Sequence, residues 1–134
     1  MKLVRAVDNF GPLIPGVKQT LIDGLTLDAS GLRIVVYLGE LESEPRYLEV
    51  FFTDPRGFRY LDEGDLLPYW ETGSFREPGQ LVFEIKKGGW AEQEEHAGLL
   101  SVTAAVGGHR EWFVPTSSAC VNVVSRSAPI VRLL

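Results

Sequence analysis

The sequence predicts a mainly β protein, an antiparallel sheet closing as a sandwich or barrel, with one short helix near residues 65–73. Three observations carry that expectation. Apolar residues recur at every second position in several stretches. Those stretches are rich in β-branched and aromatic side chains. Fourteen glycines and eight prolines punctuate the chain between them, as many short strands require.

The strands follow in order. Pro12–Pro15 reads as an irregular loop ahead of a first strand at Thr20–Leu27. Asp28-Ala29-Ser30-Gly31 turns the chain into Leu32–Leu38, where positions 32, 34, 36 and 38 are all aliphatic. Gly39–Pro45 is a charged loop. In Tyr47–Thr53, residues 48, 50 and 52 form one apolar face. Phe58–Leu61 reads as a short strand and Asp62–Gly64 as a turn.

The helix is placed by its cap. Asp65 is the expected N-cap, with Leu66, Leu67 and Pro68 in the first turn, where a missing N–H costs nothing. Gly73 is the stop. A cap at Asp62 would bury Pro68 in the helix interior at a cost of about 3 kcal/mol.

Beyond it, Leu81–Lys86 alternates as a strand, and Lys87-Gly88-Gly89-Trp90 looks like a hairpin tip. Trp90–Ala97 is a second, weaker helix candidate whose acids could also sit on an exposed strand, and strand or irregular is the preferred reading. Val106-Gly107-Gly108-His109 is expected to be a two-residue hairpin turn joining Leu99–Val106 to His109–Val114. Cys120–Ser125 and Pro129–Leu134 close the chain. Eight to ten strands result.

Size and composition set the class. The 134 residues suit one domain spanning 1–134, long enough to bury a core unaided. A single cysteine, Cys120, rules out an internal disulfide. The N-terminus lacks the apolar run of a signal peptide, and no stretch approaches the roughly 20 apolar residues of a transmembrane helix. The expectation is a cytoplasmic protein with no membrane partner. The net charge of −5 argues against nucleic acid as a partner.

The charge is uneven. Residues 40–95 hold fourteen acids and six bases, a net of −8, while the flanks together carry a net of +3. Such a segment, if it forms one surface, attracts a basic protein partner.

Catalytic templates are missing. There is no G-x-S-x-G elbow, no phosphate-binding glycine loop and no H-E-x-x-H. Two histidines and one cysteine are too few for a structural zinc site. No catalytic residue, metal ligand or cofactor is assigned.

The candidate binding residues fall into three groups. Asp62, Glu63 and Asp65 cluster beside Arg56 and Arg59; a cap with turn acids accounts for them equally. Glu92, Glu94, Glu95 and His96 form a second set. On a strand, Glu92, Glu94 and His96 share one face, and a charged edge would also discourage strand addition. Tyr69, Trp70, Phe75, Trp90 and Trp112 form an aromatic set; Trp70 and Trp90 sit beside loops, where tryptophans often anchor partners, though core or core-lid packing also suits the set. Cys120, inside an apolar strand, reads as buried and inert.

Two function classes fit. The first is a non-enzymatic binding protein with an acidic, aromatic-edged surface for a basic partner, of the inhibitor or immunity type. The second is a small-ligand binder or enzyme with an aromatic-lined pocket and carboxylates. Self-association through Ile130–Leu134 is compatible with either.

Overall fold

The computed structural model describes residues 4–134. It is mainly β, as the alternation predicts. Nine strands occur among the described residues: β1 (Ala6–Leu13), β2 (Leu21–Asp28), β3 (Gly31–Leu41), β4 (Glu44–Phe52), β5 (Pro55–Asp62), β6 (Gln80–Lys87), β7 (Arg110–Pro115), β8 (Ala119–Ser125) and β9 (Ile130–Leu133). They form two antiparallel sheets, a five-stranded one in the order β1-β6-β7-β8-β5 and a four-stranded one in the order β2-β3-β4-β9.

The sheets do not close into a barrel. The five-stranded sheet ends on β1 and β5, and the four-stranded sheet on β2 and β9. One core is built from both. Leu32, Ile34, Val36, Leu48, Val50 and Phe52 come from the four-stranded sheet, and Val82, Trp112, Val114, Val121 and Val123 from the other. These are alternate positions along their strands, which is why the period-two pattern was visible.

The other face of the five-stranded sheet has a cover. Phe83, Ile85, Phe113 and Cys120 point into a second cluster with Val4, Leu66 and Tyr69. Both faces of β6, β7 and β8 are therefore largely buried, and the middles of these strands, Leu81–Phe83, Trp112–Val114 and Val121–Val124, are apolar on both faces but for Asn122.

The cover corrects the expected helix. It is two short pieces, a 3-10 turn at Glu63–Leu66 and α1 at Leu67–Trp70. The cap is Asp62 and not Asp65: its carboxylate accepts the Gly64 N–H at 2.8 Å. Pro68 does not suffer, because the chain breaks step at Leu66 (φ −110°, ψ 31°) and restarts. Pro68 then falls in the first turn of α1.

Two further helices replace expected strands. Trp90–His96 is α2 and Ser101–Val106 is α3. Lys87–Trp90 is accordingly a strand-to-helix junction, and residues 107–109 lead from α3 into β7. Neither is a hairpin tip. A tight hairpin occurs instead at Glu42-Ser43, whose φ angles of 55° and 67° join β3 to β4 inside the expected charged loop. Pro12 lies within β1, so the expected irregular segment begins later.

Candidate functional site

On the covered face of the five-stranded sheet, antiparallel register sets Arg59 opposite Asn122 and Asn122 opposite Phe113. Glu111 lies opposite Val124 and Ile85. Two polar side chains thus stand in an apolar row, under α1 and α2. Asn122 is wholly buried and Glu111 is 5 % exposed.

These groups satisfy one another. The Glu111 carboxylate accepts the N–H groups of Trp90 (3.0 Å) and Ala91 (2.7 Å), the first residues of α2. It also accepts the Asn122 amide at 2.7 Å. Burial raises the Glu111 pKa above the ordinary glutamate value, against the pull of those donors. Arg59 donates to the Asn122 amide oxygen (2.9 Å) and the Tyr69 hydroxyl (3.2 Å). Its guanidinium carbon lies 5.7 Å from the Tyr69 ring centre and 5.6 Å from that of Trp90. A cation between two aromatic faces ties α1 to α2.

Chemically, this seam holds structure. Among the described residues every Glu111 hydrogen-bond partner donates to its carboxylate. Arg59 and Trp90, both candidates from the sequence, belong to it.

A cleft of about 340 Å³ opens beside the seam, where β6 and β7 diverge under α2. Most of its charged lining is paired, Lys87 being in no ion pair among the described residues. Arg110 forks onto Glu84 at 2.9 and 3.0 Å, and Lys86 lies 3.2 Å from the same carboxylate. Arg5 holds Glu92, which also accepts the Gly88 N–H. His109 Nε2 is 2.7 Å from Glu95. The partner of the acidic stretch is therefore His109, while the candidate His96 is exposed at the end of α2. Glu94 is half-buried on the same helix and enters none of these pairs.

The strongly acidic middle of the chain is thus partly neutralised by bases from its flanks. Arg33 and Arg132 converge on Glu49, Arg5 reaches Glu92, and Arg110 reaches Glu84. The remaining acids concentrate elsewhere. Among the described residues no base pairs with Asp62, Asp65 or Glu71, around the 3-10 turn and α1. Arg56 is exposed on β5 and is not in an ion pair.

Glu63 and Trp70 do come together. They line a second cleft of about 340 Å³ at the end of the sheets, with Phe75 and the segments 17–20, 76–81 and 115–117. The Trp70 indole N–H donates to the Glu63 carbonyl at 2.7 Å.

Sequence reasoning missed Glu111, Asn122 and His109, while Tyr69, one of the aromatic candidates, does join the seam. A signal existed for Asn122, a lone amide inside the apolar run of β8. Glu111 carried none, because its partners lie 20 and 21 residues away. Comparison with known protein families, curated proteins and solved structures gave no match.

Proposed function

We propose that this chain is a non-enzymatic, cytoplasmic binding protein whose two sheets pack as a sandwich and present an acidic face to a basic protein partner, as an inhibitor or immunity-type protein does. One observation supports it. Leu67 is 61 % exposed on α1, and the nearby Asp62, Asp65 and Glu71 are all exposed. An apolar anchor beside carboxylates that no base pairs with among the described residues suits a cationic surface, which it steers in and then contacts.

The test is capture of a basic partner from native cells at low and high salt, with wild type and the Asp65→Lys/Glu71→Lys double variant. Both residues are exposed and make no side-chain hydrogen bond, so the fold survives the reversal. The reading expects capture that fades with salt and is lost in the double variant. Capture indifferent to both would refute it.

The outer edge of β9 supports self-association as a second proposal, since it leaves Ile130 59 % and Leu133 43 % exposed. Light scattering that shows only monomer would remove it.

A further inference from the structure

The end cleft between α1 and the loops is walled by Trp70 and Phe75, floored by the buried Leu81 and rimmed by Lys18 and Arg76. We propose that it is a binding site for a small planar aromatic anion.

Its walls are fixed before any ligand arrives. The Ile14 N–H donates to the Gly79 carbonyl at 3.0 Å, and Gln80 N–H closes a turn onto Glu77. Gly79 has φ 81°, and a Cβ there would press into the Ile14 carbonyl, so only glycine lets this wall approach β1. On the opposite side Ser117 N–H donates to the Thr20 carbonyl, and Thr20 N–H returns to the Ser117 hydroxyl. Glu63 N–H donates to the Ser118 carbonyl. The aromatic wall is held too. Trp70 is anchored by its indole N–H, and Phe75 packs edge-on against it at 6.1 Å and against Phe83 at 5.0 Å. Such preorganisation reduces what binding must spend on ordering.

The chemistry of the lining selects the ligand. Two half-buried aromatic rings, set at 83° to each other, and Leu81 give apolar walls for a ring. Lys18 and Arg76 approach from separate segments, and among the described residues neither is in an ion pair. Two acids share the lining: Glu77 accepts the Asn9 amide at 2.6 Å, and Glu63, whose backbone carbonyl accepts the Trp70 indole, has a carboxylate in no ion pair among the described residues. The unpaired cations offer partners for an anionic group on a ring that rests against Trp70 and Phe75. The volume lies at the lower end of small-molecule sites, roughly 300–1,000 Å³. In the other cleft Lys86 and Arg110 already pair with Glu84, while Lys87 is in no ion pair among the described residues.

The experiment is amide-resolved NMR titration with naphthalene-2-carboxylate, with the neutral 2-naphthalenemethanol as its control. Saturable shifts are expected at Gly79, Leu81, Ser117 and the Trp70 indole with the carboxylate. The Lys18→Gln/Arg76→Gln variant should bind roughly tenfold more weakly while keeping its spectrum. Absence of saturable shifts at those residues overturns the proposal. So does equal binding of the neutral alcohol, or no loss in the double variant. Asp65 and Glu71 lie outside this cleft, so the outcome is independent of the basic-partner test.

Discussion

Glu111 caps a helix that begins 21 residues before it: its carboxylate accepts the Ala91 N–H at 2.7 Å and the Trp90 N–H at 3.0 Å. Gly89, the residue at the cap position, has no side chain with which to do so. Glu111→Ala would orphan two helix donors and the Asn122 amide in a buried place. We expect a loss of about 2–4 kcal/mol. Urea unfolding measures it, and hydrogen exchange at Trp90 and Ala91 should rise most.

The protonation of Glu111 gives a second outcome. Burial raises its folded pKa, so its share of stability is present below the ordinary glutamate pKa and is lost as pH rises through the folded value. Glu111→Gln does not titrate. Its penalty relative to wild type should therefore be larger in mild acid than at neutral pH. A penalty that grows toward neutral pH would show that the three donors outweigh burial.

The strands were legible because each has a local pattern. Leu32, Ile34, Val36 and Leu38 alternate inward, and a period of two marks them as one face. The exit of α2 also carries a local signal, although the segment reads as strand or irregular. Gly98, at φ 86°, donates its N–H to Glu95 while Leu99 N–H reaches Glu94, the glycine-terminated helix end that a Gly after His96-Ala97 announces. The entrance carries none. Its cap comes from β7, across the fold, so Glu92–Glu95 looked like a charged edge. The charge asymmetry misled for the same reason, since sequence blocks do not show that Arg5 and Arg132 return to Glu92 and Glu49. Asp62 was rejected as a cap on the premise of one continuous helix, and the break at Leu66 removes that premise.

Space at Gly89 is tight for the same capping geometry. A Cβ there would sit 2.5 Å from one Glu111 carboxylate oxygen, although φ at −83° suits any residue. Gly89→Ala should cost about 1–3 kcal/mol through displacement of that carboxylate. Combined with Glu111→Ala, which removes the obstacle, the two losses should be clearly less than additive in urea unfolding.

Glu49 carries the opposite pH sign. Hydrogen bonding from Arg33, with the charge of Arg132, holds its pKa below the usual range. Its contribution is present above the ordinary glutamate pKa and disappears as pH falls through the lowered value. Both arginines are about half exposed, so the triad is worth about 1 kcal/mol or less. Glu49→Gln should lower the neutral-pH urea midpoint slightly and flatten its fall toward pH about 3. High salt should shrink the difference between the two proteins.

Cys120 reports on how the covered face opens. It is wholly buried, and burial pushes its thiol pKa up to about 11. A neutral, inaccessible thiol cannot attack a disulfide reagent, so labelling at pH about 8 must wait for the cover to lift. Slow labelling is expected in wild type. If the 3-10 turn and α1 lift only with global unfolding, Glu111→Ala should speed labelling more than tenfold, in step with its lost stability. A rate unchanged in that variant would mean instead that the cover opens locally, above a sheet that stays folded.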